Sequence, residues 1–258
     1  MKVGEHREQS TSTVLGDIVS LMVTFERPGI LRSTVASYMA SHNAPQLFVF
    51  DDGSQSAEKK AELRDVSGIG ATVSMLEHRG FIGTWRYVFE WAASVLPDVE
   101  GFVLLEDDLS FSMDWISVLR RMHDGATKQG FKPGAMTCLR IHPEVNLPIL
   151  NLDGVEAFQT MYHGFQVNLI PRDVIRRLDL LIEAEKMSQR CKLGRCHDVY
   201  WLGLLSHCLG RTNFMSVWSW VAHEGNQQSV VETQGYNALK TRGIELVDEL
   251  RDIKNMAI

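Results

Sequence analysis

Two groups of acidic side chains stand where predicted strands end, and they are the residues of this chain best suited to chemistry. The first is Asp-Asp at residues 51–52, after the apolar run 47–50, and the second is Glu-Asp-Asp at residues 106–108, after the run 101–105. Carboxylate oxygens can hold a hard divalent cation or accept hydrogen bonds from a nucleoside. They are also ordinary residues of turns and helix N-caps, which need no ligand. Three consecutive acids repel one another unless a positive charge joins them, so residues 106–108 favour a cation.

The elements before these groups alternate between short apolar strands and helices. The predicted strands cover residues 17–24, 47–50, 71–76 and 101–105, and the helices begin near Pro28 and cover 56–66 and 82–96. This alternation is typical of an α/β fold, with a mostly parallel twisted sheet and helices on both faces. Because ligands bind beyond the carboxyl ends of such strands, both acidic groups are predicted at one edge of the sheet.

The second half of the chain has a less regular pattern. It predicts strands at 135–141, 165–170 and 214–221, and helices at 171–184, 197–209 and 235–255. No repeat or linker interrupts it, which favours one domain over residues 17–258 after a polar leader, residues 1–16. Within that domain we expect a nucleotide-binding half over about 17–110 and an acceptor-binding half over about 111–258.

Composition excludes several classes of protein. The chain has 258 residues, 45% of them hydrophobic, with 26 Lys and Arg against 32 Asp and Glu and a net charge of −6. These values exclude a disordered or collagen-like chain, and the four cysteines are too few for a disulfide framework in a chain of this length. The polar N-terminus and the lack of a long apolar run predict a cytoplasmic protein without a membrane span. The net charge disfavours general coating of nucleic acid but leaves room for a local basic patch.

Five short motifs in a fixed order resemble those of the GT-A glycosyltransferases. They are VTFERP at 23–28, VFDDGS at 49–54, LLEDDL at 104–109, HDVYW at 197–201 and VAHEG at 221–225. The resemblance is closest to the inverting enzymes, among them family-2 transferases and N-acetylglucosaminyltransferases with a Glu-Asp-Asp signature. It implies a GT-A fold with a nucleotide site at the carboxyl ends of the strands. It also implies that Mn²⁺ or Mg²⁺ assists transfer of a sugar from a nucleoside diphosphate, UDP above all, to an acceptor hydroxyl.

The resemblance also implies which residues bind the nucleotide. Thr24, Glu26 and Arg27 are expected beside the base and ribose. Asp52, with Asp51 as the alternative, is expected to accept hydrogen bonds from the base.

The loop before the third helix is a second candidate for donor binding. Gly83 would let the backbone approach a sugar or phosphate, and Arg79 or Arg86 can pair with the diphosphate. The alternative is an ordinary helix entry with solvated arginines.

The metal ligands and the catalytic base are expected in the last three motifs. The resemblance makes Asp108 and His223 metal ligands, while Glu106 and Asp107 face the donor sugar, the ribose or a metal-bound water. Asp198 matches the catalytic base, which would take the proton of the attacking hydroxyl. An Asp in the first turn of a helix is also favoured by the helix dipole without any function.

The basic segment before Asp198 bears on the acceptor. Position 197 is His where many relatives carry an acid, which leaves Glu156 or Asp153 as alternative bases. The cations at 190, 192 and 195 form either a solvated loop or a contact for an anionic acceptor, such as modified DNA or a phosphorylated carrier.

Two other functions are alternatives to glycosyl transfer. A sugar-nucleotide nucleotidyltransferase normally carries a glycine-rich basic loop after its first strand, and residues 24–29 lack that glycine run. A non-catalytic sugar-nucleotide binding protein would not need the full set of acids that this chain retains.

Overall fold

The computed structural model of the chain describes residues 16–140, 148–160, 166–177 and 209–223. None of the helices within these ranges is long and apolar enough to cross a lipid bilayer. Strands and helices alternate as far as β4, and strands predominate after α4. The elements in chain order are β1 (Ile18–Thr24), α1 (Ile30–Ala40), β2 (Gln46–Asp51), α2 (Ala57–Gly68), β3 (Thr72–Met75), α3 (Gly80–Val95), β4 (Gly101–Glu106), β5 (Leu109–Phe111), α4 (Trp115–Lys128), β6 (Pro133–Thr137), β7 (Leu150–Leu152), β8 (Val155–Gln159), β9 (Val167–Pro171), α5 (Arg172–Ile175), β10 (Thr212–Ser216) and β11 (Val221–His223).

Nine of these strands form one sheet in the order β3-β2-β1-β4-β9-β6-β10-β8-β7. The first four in that order are parallel to one another, as the alternation of strands and helices predicts. β9 is antiparallel to both β4 and β6, and β10 is parallel to β6. β5 and β11 form a separate antiparallel pair. The α/β class predicted from the sequence is confirmed.

Helices cover both faces of the sheet, because successive side chains of each central strand point to opposite sides. On β1, Met22 packs in one apolar cluster with side chains of α1, α2 and α4. Leu21 and Val23 pack in a second cluster with side chains of α3 and α5. Strands that are buried on both faces read as continuous apolar runs, which is why 17–24 and 101–105 were recognisable.

The second half differs from the sequence prediction in three places. α4 was not predicted, although Trp115, Leu119, Met122 and Ala126 recur at helical spacing and are all buried. The hairpin of β7 and β8 was also missed. The predicted strand 214–221 is two strands in different sheets, since the chain bends between β10 and β11 where Trp220 N donates to Cys138 O at 2.9 Å.

The remaining predicted elements lie wholly or partly outside the described residues. α5 accounts for the start of the predicted helix 171–184. The predicted helices 197–209 and 235–255 fall almost wholly outside, as does the leader, residues 1–16.

The loop after β2 is held against the loop before α3 by a close backbone approach. Gly53 has φ 78°, and a Cβ on it would lie 2.6 Å from the backbone nitrogen of His78. Beside it, the Asp51 carboxylate accepts hydrogen bonds from the backbone N–H of Ser54 at 2.9 Å and from its hydroxyl at 2.5 Å. Only glycine meets both the positive φ and the close approach at this position.

We expect Gly53→Ala to lower the free energy of unfolding by about 2 kcal/mol more than Gly29→Ala does. Gly29 also has a positive φ, but a Cβ there meets nothing within 4 Å, so that variant measures the backbone strain alone. Urea denaturation of the two variants gives the difference. Equal losses of unfolding free energy in the two variants would show that the loop of Gly53 can move away from His78 without an energetic cost.

Candidate active site

The register of the central strands brings the predicted site residues to one edge of the sheet. Thr24 at the end of β1 pairs with Asp51 at the end of β2. On the other side of β1, Val23 pairs with Glu106 at the end of β4. The two acidic groups therefore flank the end of β1, at the carboxyl edge where the sequence placed them.

His223 reaches the acids through the small sheet. β11 runs antiparallel to β5, and this register sets His223 opposite Leu109, the residue after Asp108. The imidazole Nε2 lies 3.2 Å from Asp108 Oδ1 and 3.7 Å from Glu106 Oε2. A long-range strand pairing thus joins two motifs that are far apart in the sequence.

Glu106, Asp108 and His223 form a group that can hold a metal ion. Each offers one ligand atom, and the three atoms lie within 4.8 Å of one another. Burial raises the pKa of Asp108, but the hydrogen bond and charge of His223 and the charge of Arg27 outweigh it and lower the pKa overall. A carboxylate ligand must be ionised, and the lowered pKa of Asp108 meets this requirement, whereas His223 binds a cation only as the neutral imidazole. Two carboxylates and one imidazole suit a divalent ion of the Mn²⁺ type.

Asp107, between the two acidic members of that group, is committed to the protein. Its side chain is 1% exposed, accepts a hydrogen bond from Thr24 Oγ1 at 2.5 Å, and pairs with the Arg27 guanidinium. Burial raises its pKa above the ordinary value, although the charges of Arg27 and Lys59 and the Thr24 hydrogen bond oppose this. Asp107 therefore anchors the loop, and its predicted contact with the donor remains a prediction.

Arg27 bridges two of the acids. Its Nη1 donates to Asp108 Oδ2 at 2.7 Å while its Nη2 pairs with Asp107. The two carboxylates raise the pKa of Arg27 despite its partial burial, so the guanidinium is a permanent positive charge in the site. In the structure the guanidinium pairs with Asp107 and Asp108, and its expected position beside the base and ribose remains a prediction.

Lys59 and Glu62 are site residues that the sequence reading missed. Lys59 is fully buried, and its ammonium donates to Glu62 Oε2 at 3.0 Å and to the backbone oxygen of Arg27 at 3.1 Å. The same ammonium lies 3.8 Å from Asp107 Oδ2. An i,i+3 Lys–Glu pair on a highly charged helix is typical of a solvated face, so its burial could not be predicted from the local pattern.

The hydroxyl of Thr34 fixes the backbone of the acidic loop from α1. It donates to Asp107 O at 2.8 Å and accepts from the backbone N–H of Leu109 at 3.1 Å. Asp108 is thereby held between two anchored peptide groups.

The Asp52 carboxylate is also engaged within the protein. It accepts from the backbone N–H of Arg79 at 2.7 Å and from Thr84 Oγ1 at 2.6 Å, and His78 Nδ1 lies 3.0 Å away. Asp51 and Asp52 are both buried and bonded to the loops around them, as in the turn-and-cap alternative. Their role toward a base remains a prediction.

Glu26 and the residues at the start of α3 have local contacts. Glu26 has φ 52°, and its carboxylate accepts from the backbone N–H of Gln55 at 2.6 Å, which lowers its pKa. The Arg79 guanidinium lies over the Tyr87 ring, 4.7 Å from its centroid. Gly83 and Arg86 lie in α3, and the donor contacts predicted for them remain untested.

The predicted base Asp198 and the basic segment before it lie outside the described residues. The alternative bases are both on the hairpin of β7 and β8. Glu156 Oε2 accepts a hydrogen bond from Trp218 Nε1 at 3.2 Å, and Asp153 is paired with Lys128 at 3.4 Å. β8 is four strands from β4 in the sheet order, a separation of about 19 Å. In the sheet these two acids are thus remote from the acidic group.

The fold is the GT-A type found in glycosyltransferases. The chain is similar to a mannosyltransferase from Pyrobaculum calidifontis in complex with GDP-Man and Mn²⁺, with a TM-score of 0.53, 14% identity, and 87% of this chain and 60% of that chain covered. It is also similar to GalNAc-T7 with UDP, GalNAc and Mn²⁺, with a TM-score of 0.52, 14% identity, and 92% and 50% covered.

A third similar structure is residues 1–349 of TarS from S. aureus, with a TM-score of 0.52, 12% identity, and 82% of this chain and 61% of that chain covered. The chain thus spans between half and about three fifths of the length of these structures. No protein-family model matches the sequence, and no curated protein matches it significantly. At these identities the likeness establishes the fold.

We expect Thr24→Val to lower the free energy of unfolding by about 2 kcal/mol, because it leaves the buried Asp107 carboxylate without its hydroxyl donor. Valine has nearly the shape of threonine, so the loss of packing is small. Thr24→Ser keeps the donor and is the matched control. Chemical denaturation at neutral pH measures both, and a valine variant as stable as wild type would show that the hydroxyl donor does not stabilise the buried carboxylate.

Proposed function

We propose that this chain is a divalent-cation-dependent glycosyltransferase that moves a sugar from a nucleoside diphosphate to an acceptor hydroxyl. The observation that carries the proposal is the convergence of Glu106, Asp108 and His223 at the carboxyl edge of a GT-A sheet. Two similar structures hold Mn²⁺, one with GDP-Man and the other with UDP. A site of this kind catalyses mainly by positioning the donor and by offsetting the negative charge of the diphosphate leaving group.

Glu106, Asp108 and His223 are the proposed cation ligands. A bound cation supplies the positive charge that offsets the diphosphate leaving group. Carboxylates alone suit Mg²⁺ and Mn²⁺ equally well, whereas an imidazole favours the transition metal. We therefore propose Mn²⁺ as the preferred ion, with Mg²⁺ supporting the reaction at higher concentration.

The nucleotide is proposed to lie over the ends of β1 and β2. This places the base and ribose near Thr24, Glu26 and the loop at 51–54, with UDP as the nucleotide implied by the sequence motifs. Phe25 is 41% exposed in this region, and its ring stacks on that of His78 at 4.7 Å between centroids. An exposed aromatic pair of this kind offers a flat apolar surface to a base.

Transfer is proposed to proceed with inversion. The Asp198 carboxylate takes the proton of the acceptor hydroxyl as that hydroxyl attacks the anomeric carbon opposite the diphosphate. The cations at 190, 192 and 195 precede Asp198 in the sequence, which supports an anionic acceptor such as modified DNA.

We expect Asp108→Asn to abolish Mn²⁺-dependent release of nucleoside diphosphate from a panel of sugar nucleotides. An amide keeps the size of the side chain but removes the charge that binds the cation, and a loss of about 100-fold or more follows. The assay is nucleotide release with and without an acceptor, titrated with Mn²⁺ and with Mg²⁺. Release of pyrophosphate in place of nucleoside diphosphate would indicate nucleotidyl transfer.

Asp65→Asn is the matched control for that variant. Asp65 is exposed and paired with Arg32 at 3.5 Å, away from the acidic group, so its loss leaves the cation ligands intact. Activity of Asp108→Asn equal to that of this control would contradict the metal centre.

We expect Asp198→Asn to bind donor normally and to lose turnover by about 100-fold or more, since an amide cannot accept the acceptor proton. Donor affinity is measured by calorimetry with Mn²⁺ and turnover by product formation. Glu156→Gln and Asp153→Asn serve as controls that retain turnover. A loss confined to Glu156→Gln would move the base to the hairpin.

A further inference from the structure

The positive charges around the acidic loop differ in how far they are exposed to solvent. Glu106, Asp107 and Asp108 carry three negative charges. Lys59 is fully buried and shares its charge with the Glu62 carboxylate. Within the described ranges, Arg27 is the one cation that joins Asp107 and Asp108 directly, and its side chain is 48% exposed. One fixed positive charge therefore touches the acids from a position that is open to solvent.

The two oxygens of Asp108 face different partners. Oδ2 accepts from Arg27 Nη1 at 2.7 Å, and Oδ1 lies 3.2 Å from His223 Nε2. A cation held by Glu106, Asp108 and His223 shares the Asp108 carboxylate with the guanidinium. Two positive charges on the two oxygens of one carboxylate repel each other, and the solvent around the half-exposed guanidinium screens this repulsion only in part.

We propose that Arg27 is a built-in counter-ion that competes with a free divalent cation and pairs with the donor diphosphate once both are bound. This inference rests on the proposed function, because it assigns the guanidinium to the same donor. A diphosphate presents an array of oxygens that a guanidinium binds in a bidentate manner, as it does a carboxylate. Arg27 then gives up part of its contact with Asp108 for a contact with phosphate.

The counter-ion makes the site selective for the metal–nucleotide complex. Without nucleotide, the guanidinium weakens cation binding by competing for Asp108. With nucleotide, the same charge contributes to affinity. Removing it is therefore expected to strengthen binding of the cation alone and to weaken binding of the nucleotide in the presence of the cation.

The test is calorimetry on the full chain, with wild type, Arg27→Gln and Arg27→Lys. We expect Arg27→Gln to bind Mn²⁺ alone about tenfold more tightly than wild type. At saturating Mn²⁺ it should bind UDP about tenfold more weakly. Arg27→Lys keeps the charge but lacks the bidentate geometry of the guanidinium, so its affinity for Mn²⁺ alone should stay within about threefold of wild type.

Arg32→Gln is the matched control, because Arg32 is exposed and its guanidinium pairs with Asp65 at 3.5 Å. Thermal melts of all variants confirm that they are folded. If Arg27→Gln binds free Mn²⁺ no more tightly than wild type, Arg27 only positions the carboxylates and the proposal is wrong.

Failure of the proposed function gives a different result. In that case Arg27→Gln still gains Mn²⁺ affinity, Asp108→Asn still abolishes it, and no variant binds a nucleoside diphosphate. Absence of Mn²⁺ binding in every variant overturns the metal centre and the counter-ion together.

Discussion

Repulsion among three consecutive carboxylates at the end of β4 is the constraint on which the rest of the site depends. Burying such a group is unfavourable unless each charge finds a partner. Arg27 supplies a charge to Asp107 and Asp108, and Thr24 and Thr34 hold the side chain and backbone of Asp107. The pKa of Asp107 is raised and that of Asp108 is lowered, so the compensation differs between these two neighbours.

This constraint explains why the partners come from β1, α1 and α2. β1 is the neighbour of β4 in the sheet, so the loop that carries Arg27 opens beside the acids. Lys59 extends from α2 beneath that loop and binds its backbone. The strand order 3-2-1-4 therefore places a cation-bearing loop against an acid-bearing one, which a sequential order of strands would not do.

The sequence predicted the half of the molecule in which local pattern decides structure. The apolar runs of doubly buried strands, with helical patterns between them, predicted β1 to β4 and the edge where the acids lie. The five motifs predicted the GT-A fold. Non-local contacts were not readable in this way. The pairing of β5 with β11 carries His223 to Asp108, yet nothing local in either short strand specifies it. The burial of Lys59 is hidden by the many charges of its helix, and α4 was not predicted although its apolar residues recur at helical spacing.

Residue type and position did not distinguish the roles of the acids, whereas their hydrogen bonds do. Asp51, Asp52 and Asp107 are buried and their oxygens are bound by neighbouring loops, so a ligand can use them only by displacing those donors. Glu106 and Asp108 instead each direct an oxygen toward His223, and these three side chains are close enough to share one cation. The net charge of −6 therefore combines carboxylates that fasten loops with carboxylates suited to bind a cation. A metal site needs both kinds, because ligand atoms hold their geometry only when the loops that carry them are fixed.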